Sequence, residues 1–137
     1  MAIFSSEELN EQAELAYLRG TYYIALIDNS SGYDETVTYS DIVADEVTAG
    51  TGGYARLSYT YSSGDLESYS NGQPLSRKTA NFVHDGSSGD IVFNHVAILR
   101  EVSGSYTVVA IEPVGSTTTL SEGNTAVINI DFLHGRP

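Results

Sequence analysis

The sequence has no cysteine and no tryptophan, three prolines, and six Lys or Arg against 18 Asp or Glu in 137 residues. Without cysteine, neither a disulfide framework nor a thiolate metal site is available. No run of about 18 apolar residues occurs, so no membrane-spanning helix is expected. The opening residues, MAIFSSEELNEQ, lack a basic patch and an apolar segment, so no secretory signal is read there. The expectation is a protein made in the cytoplasm. A formal charge of −12 repels a phosphate backbone, and the only adjacent basic residues are Arg77 and Lys78, so nucleic acid is not an expected partner. The length suits one domain that buries roughly two thirds of its unfolded surface.

What the chain has is period. Ser5 and Glu8 fit a capping box, Phe4 and Leu9 a hydrophobic staple, and Gly20 a C-terminal stop. Leu9, Ala13, Ala16 and Tyr17 share one stripe, so a helix is expected over 6–19. After Gly20 the period falls to two. TYYIALID, 21–28, is apolar on both parities and reads as a strand buried on both faces. An acidic loop follows to Gly53, with a short strand expected at Thr36–Tyr39.

YARLSYTYS is the next strand, with Leu57, Tyr59 and Tyr61 on one face and Arg56, Ser58 and Thr60 on the other. A second loop carries the Asn71-Gly72 turn. Arg77–Val83 alternates with Ala80 and Phe82 on one side. Asp90–Glu101 and Tyr106–Glu112 flank Ser-Gly-Ser as a hairpin, and Pro113 is expected to end its second strand. The last strand, Thr125–Leu133, turns Ala126, Ile128, Ile130 and Phe132 inward. The fold class is all-β: an antiparallel β-sandwich or barrel of six or seven strands with one N-terminal α-helix. The division is a helix at 1–20, packed on or extending from the domain, and a β-sandwich domain at 21–137.

Candidate sites are few. Asp85 and Asp90 bracket a glycine loop whose spacing matches no EF-hand, so it reads as an ordinary turn. Asp34, Glu35, Asp41, Asp45 and Glu46 make the 28–46 loop a solvated or partner-facing segment, with a cation site as the open alternative. His84, His95 and His134 have no ligand spacing and read as hydrogen-bonded histidines. No GxSxG elbow, P-loop or GxGxxG is present. No catalytic residue, metal ligand or cofactor is therefore assigned, and the chain is read as a non-enzyme. The ten tyrosines suit both a strand core and subunit interfaces, and both uses stay open.

Five segments carry a resemblance: ELAYLRG at 14–20, YYIALID at 22–28, GGYARLSYT at 52–60, GDIVFNHVAILRE at 89–101 and EGNTAVINI at 122–130. In order and approximate spacing the chain resembles small virion structural proteins of tailed bacteriophages, often labelled tail-fibre or hypothetical structural proteins. It departs from their pattern at Asn94-His95, where members carry Thr-His, and across residues 61–76. The resemblance implies a non-enzymatic virion subunit, a homo-oligomer whose partners are the major capsid protein or tail proteins. A head decoration or cement role is preferred, because no stalk repeat, coiled coil or collagen-like segment is present to build a rod. A tail fibre, baseplate or neck component, and a carbohydrate-binding module, are the alternatives. Tyr54, Arg56 and Arg77 are the expected interface anchors, since tyrosine and arginine dominate such contacts. The helix over 6–19 is either a lid on the sandwich or an arm to a neighbour.

Overall fold

The computed structural model describes residues 20–60, 66–68 and 74–133. The helix expected over 6–19, the Asn71-Gly72 turn, Tyr61 and His134 lie outside the described residues. The described chain is mostly β, with antiparallel sheets and one short α-helix. It divides into two compact units, one built from 21–59 and 81–127, the other holding the rest.

The first unit contains a four-stranded sheet. Its strands are β1 (Thr21–Ile27), β2 (Leu57–Tyr59), β5 (Ile91–Val102) and β6 (Ser105–Leu120), in the order β2-β1-β5-β6. A second sheet runs β3 (Leu66–Ser68), β4 (Pro74–Val83) and β7 (Thr125–Leu133). Ala80 and Phe82 of β4 are both buried, as their alternation requires.

β1 is central, and its apolar run is used on both faces. Tyr22, Ile24, Ala25, Leu26 and Ile27 are all buried. Opposite β5, Ile24 pairs with Ile98 and Leu26 with Val96 on one face, while Tyr23 pairs with Leu99 and Ala25 with Ala97 on the other. The second face is covered by α1 (Tyr39–Asp45), whose Ile42 is fully buried against Ala25, Ile27, Ala97 and Leu99. Burying that one side chain contributes about 2 kcal/mol.

The helix replaces the strand expected at Thr36–Tyr39. Thr38 is extended and caps it: the Asp41 N–H donates to Thr38 Oγ1, and the Thr38 N–H donates to Asp41 Oδ2. This reciprocal box satisfies two donors at the first turn, worth about 1 kcal/mol. β5 and β6 form the expected hairpin. Ser103 and Gly104 both take positive φ (53° and 84°), the conformation that matches a two-residue turn to the strand twist.

Pro113 does not end β6, which continues to Leu120. His95 pairs with Pro113, but Phe93 pairs with Thr118, so Val114–Thr117 bulge outward before pairing resumes. A proline is tolerated there because β6 is the edge strand and needs no ladder donor on its outer side.

Candidate functional site

The stretch Gly52-Gly53-Tyr54-Ala55-Arg56 folds as a latch. β2 covers the edge of β1 only at Tyr22–Ile24. Further along that edge, Asp45–Val47 take over: the Asp28 N–H donates to the Asp45 carbonyl and the Val47 N–H to the Leu26 carbonyl. Between the two segments the Leu26 N–H is served by a side chain, donating to Tyr54 Oη at 3.0 Å. Tyr54 is 4 % exposed, and its ring stacks on Phe82 at 6.0 Å.

Tyr54 in turn donates its hydroxyl to Glu46 Oε2 at 2.6 Å. Arg56 grips the same carboxylate with both prongs, Nε to Oε2 at 2.9 Å and Nη2 to Oε1 at 2.7 Å. The planar fork matches the carboxylate geometry. The bonds from Glu46 hold the guanidinium charged well above its already high ordinary value. Burial first, and then the Glu46 carboxylate, push the Tyr54 hydroxyl up so that it stays protonated. Glu46 closes the C-terminus of α1, where a carboxylate opposes the helix dipole, and Arg56 supplies the compensating charge.

Arg56 also organises aromatic rings. Its guanidinium lies 5.3 Å from the Tyr39 ring centre and 5.5 Å from that of Tyr106. Tyr39 and Tyr106 stack nearly parallel, 4.7 Å apart at 9°, and Tyr23 leans on Tyr106 at 5.8 Å. All three tyrosines are half-buried, at the place where α1 meets β6.

The anchors expected from the sequence are thus placed differently. Tyr54 faces the interior. Arg56 is half-buried and committed to Glu46. Arg77 lies on β4, and its side chain is outside the described residues. Glu46, expected only as part of a solvated or partner-facing acidic loop, completes the cluster with Tyr39 and Tyr106, to which the sequence assigned no role. One signal was present: Arg56 is the only Lys or Arg between 20 and 76, a span rich in carboxylates, so it must choose among acids close in the fold.

Asp28 and Asp45 of the acidic loop are spent internally. Asp45 accepts from Tyr33 Oη at 2.6 Å and from Asn29 Nδ2 at 3.0 Å, and Asp28 accepts from Asn94 Nδ2 at 3.1 Å. Asp28, Asp45, Glu46 and Asp90 line an open hollow of about 350 Å³. Among the described residues, no group of three or more His, Asp or Glu is arranged to hold a metal ion. His95 pairs its Nδ1 with Asn94 Oδ1 at 2.8 Å and sits edge-on to Tyr33. His84 is buried and uses both ring nitrogens on backbone, Nε2 toward the Gly89 carbonyl at 2.7 Å and Nδ1 accepting the Gly86 N–H at 3.1 Å. Hydrogen bonds from the Ser87 side chain and then its N–H hold the Asp85 carboxyl below the usual range, as those of Thr36 do for Asp34.

Tyr33 makes a pH prediction. Burial, reinforced by the Asp45 carboxylate, pushes its hydroxyl up from 10.0 to about 12. The folded state therefore holds this proton more tightly than the unfolded chain does. The stabilisation is complete below pH 10.0 and is lost as pH climbs through about 12. Urea denaturation at pH 8 and pH 11 is expected to show lower stability at the higher value. Tyr33→Phe should reduce that difference, and an unchanged difference would remove Tyr33 from the alkaline transition.

No family model, curated protein or solved structure matches the chain.

Proposed function

We propose that the chain is a non-enzymatic structural subunit of a bacteriophage virion, a head decoration or cement protein that oligomerises and binds neighbouring capsid proteins. The observation that carries the reading is the Arg56-centred cluster. Its Tyr39 and Tyr106 rings are fixed against each other at the surface by an ion pair behind them. Side chains already held in place lose little freedom on docking, which favours recognition by area and shape. The side chains that carry chemistry elsewhere, His84, Asp45 and Glu46, are each spent on holding loops. The motif resemblance points the same way.

The finer architecture belongs to the same reading. A strand buried on both faces needs a layer on each side. α1 supplies one for β1, and a second sheet supplying the other makes a β-sandwich.

Immunogold labelling of purified particles tests the function. Many copies on the head are expected. Label confined to the tail would move the subunit to a fibre, baseplate or neck, and purified particles lacking the chain would refute the virion assignment.

A further inference from the structure

We propose that the α1–β6 face is a docking surface for a basic protein surface, rimmed by Lys or Arg, with Tyr39, Val43 and Tyr106 as its apolar anchors. The inference rests on the virion reading for the partner's identity alone; the chemistry of the surface stands by itself.

Tyr39 and Val43 are four residues apart on α1 and so share one side of it, while Ile42 points into the core. Val43 is 47 % exposed, one of few large apolar side chains so open among the described residues. Tyr106 reaches the same place from β6 through its stack on Tyr39. An apolar centre of aromatic rings beside an aliphatic knob is the composition of interface hot spots.

The rim has one sign. Glu101 lies directly opposite Tyr106 across the hairpin, and the exposed Asp34 and Glu35 border Val108 and Ile111 of β6. The only Lys or Arg in 21–59 and 81–127 are Arg56 and Arg100. Glu46 neutralises Arg56, and Arg100 pairs opposite Tyr22 and Thr107, on the other face of the sheet. The surface is thus apolar at its centre and anionic around it. Like charge disfavours a second copy of the same face, and the sign excludes phosphate-rich partners. A cationic protein surface complements both centre and rim.

The test uses the full chain, labelled with nitrogen-15, titrated with two synthetic peptides of equal length and apolar content. One carries Lys and Arg around a central Leu, the other Asp and Glu. The basic peptide is expected to perturb the amides of Tyr39, Val43 and Tyr106, with affinity falling as salt rises. Val43→Arg changes an open side chain and should leave the melting temperature in place while weakening binding about tenfold. Perturbation spread evenly over the acidic residues, centred on the Asp28–Asp90 hollow, or insensitive to Val43→Arg would overturn the proposal, as would equal binding of the acidic peptide or of a glycan array. A second arm separates the two readings, using capsids assembled without the chain. If the wild type and Val43→Arg pellet equally with capsids, the docking face is wrong and the virion role stands. If neither pellets but the basic peptide maps to this face, the face stands and the head role falls.

Discussion

Replacing Glu46 with Ala is expected to cost about 3 kcal/mol of folding stability, the scale of breaking a largely desolvated ion pair by removing one partner. The side chains of Arg56 and Glu46 are only 20 % and 12 % exposed. The substitution leaves three donors without their acceptor: the Tyr54 hydroxyl and the two prongs of Arg56. An unpaired guanidinium then sits against the Tyr39 and Tyr106 rings, which recover only part of its lost pairing. The damage should be local as well as global, because Glu46 bridges Ile27 and the flanking Asp45–Val47 close the edge of β1. Hydrogen exchange should accelerate at Asp28, Ile42 and Val47 before the rest of the sheet. Arg56→Met alone strands the Glu46 carboxylate and should cost a similar amount, whereas Glu46→Ala with Arg56→Met should cost less than the two single changes together. That non-additivity, about 1–3 kcal/mol in a double-mutant cycle, identifies a true pair. A denaturation midpoint for Glu46→Ala within error of the wild type would mean the latch holds nothing.

The latch also shows where the sequence was readable. A run apolar on both parities identified β1, and alternation identified β4, where Ala80 and Phe82 are buried between exposed neighbours and a one-residue error would turn both outward. The hairpin was readable because Ser103-Gly104 is a turn whose positive φ values few residue pairs tolerate. The rule misled at Tyr54 and Arg56. β2 begins only at Leu57, so the residues before it are not bound to strand parity, and Tyr54 turns inward from the end of a short helical turn (Thr51–Gly53).

The helix α1 was missed for a related reason. It has seven residues and one buried apolar side chain, Ile42, so no periodic stripe exists to be seen. Its cap is a Thr38–Asp41 box with Asp in the third position in place of the usual Glu or Gln. Packing on Ala25 and Leu99, together with the Glu46–Arg56 pair, supplies what propensity does not. The cluster of Tyr39, Arg56 and Tyr106 joins residues 17 to 67 apart in sequence, beyond the reach of any local spacing rule.

Gly52→Ala is expected to be the most damaging single-methyl addition in this region, at about 2–4 kcal/mol. Two costs combine. Gly52 takes φ 56° and ψ 20°, the left-handed region, where any Cβ costs about 1 kcal/mol or more. The new methyl would also stand 2.6 Å from the Cδ2 and Nε2 atoms of His84 and 3.0 Å from Cγ1 of Ile91, an overpacking worth a further 1–3 kcal/mol or so. His84 cannot step aside, because it is buried and both its ring nitrogens hold the 86–89 loop. Gly52 is itself fixed, its N–H donating to the Ser88 carbonyl and its carbonyl accepting from the Asp85 N–H. Gly53 is the comparison. It also has positive φ, 80°, but its added methyl would meet the carboxylate of Asp85, the exposed end of a side chain that can swing into solvent. Gly53→Ala should therefore cost little beyond its backbone term, about 1 kcal/mol. Thermal melts of the two variants should separate clearly, with Gly52→Ala also shifting the His84 ring resonances. If the two melt together at the wild-type temperature, the close approach of this turn to His84 is not part of the native fold. If Gly53→Ala proves the worse, Asp85 is held more rigidly than its exposure implies.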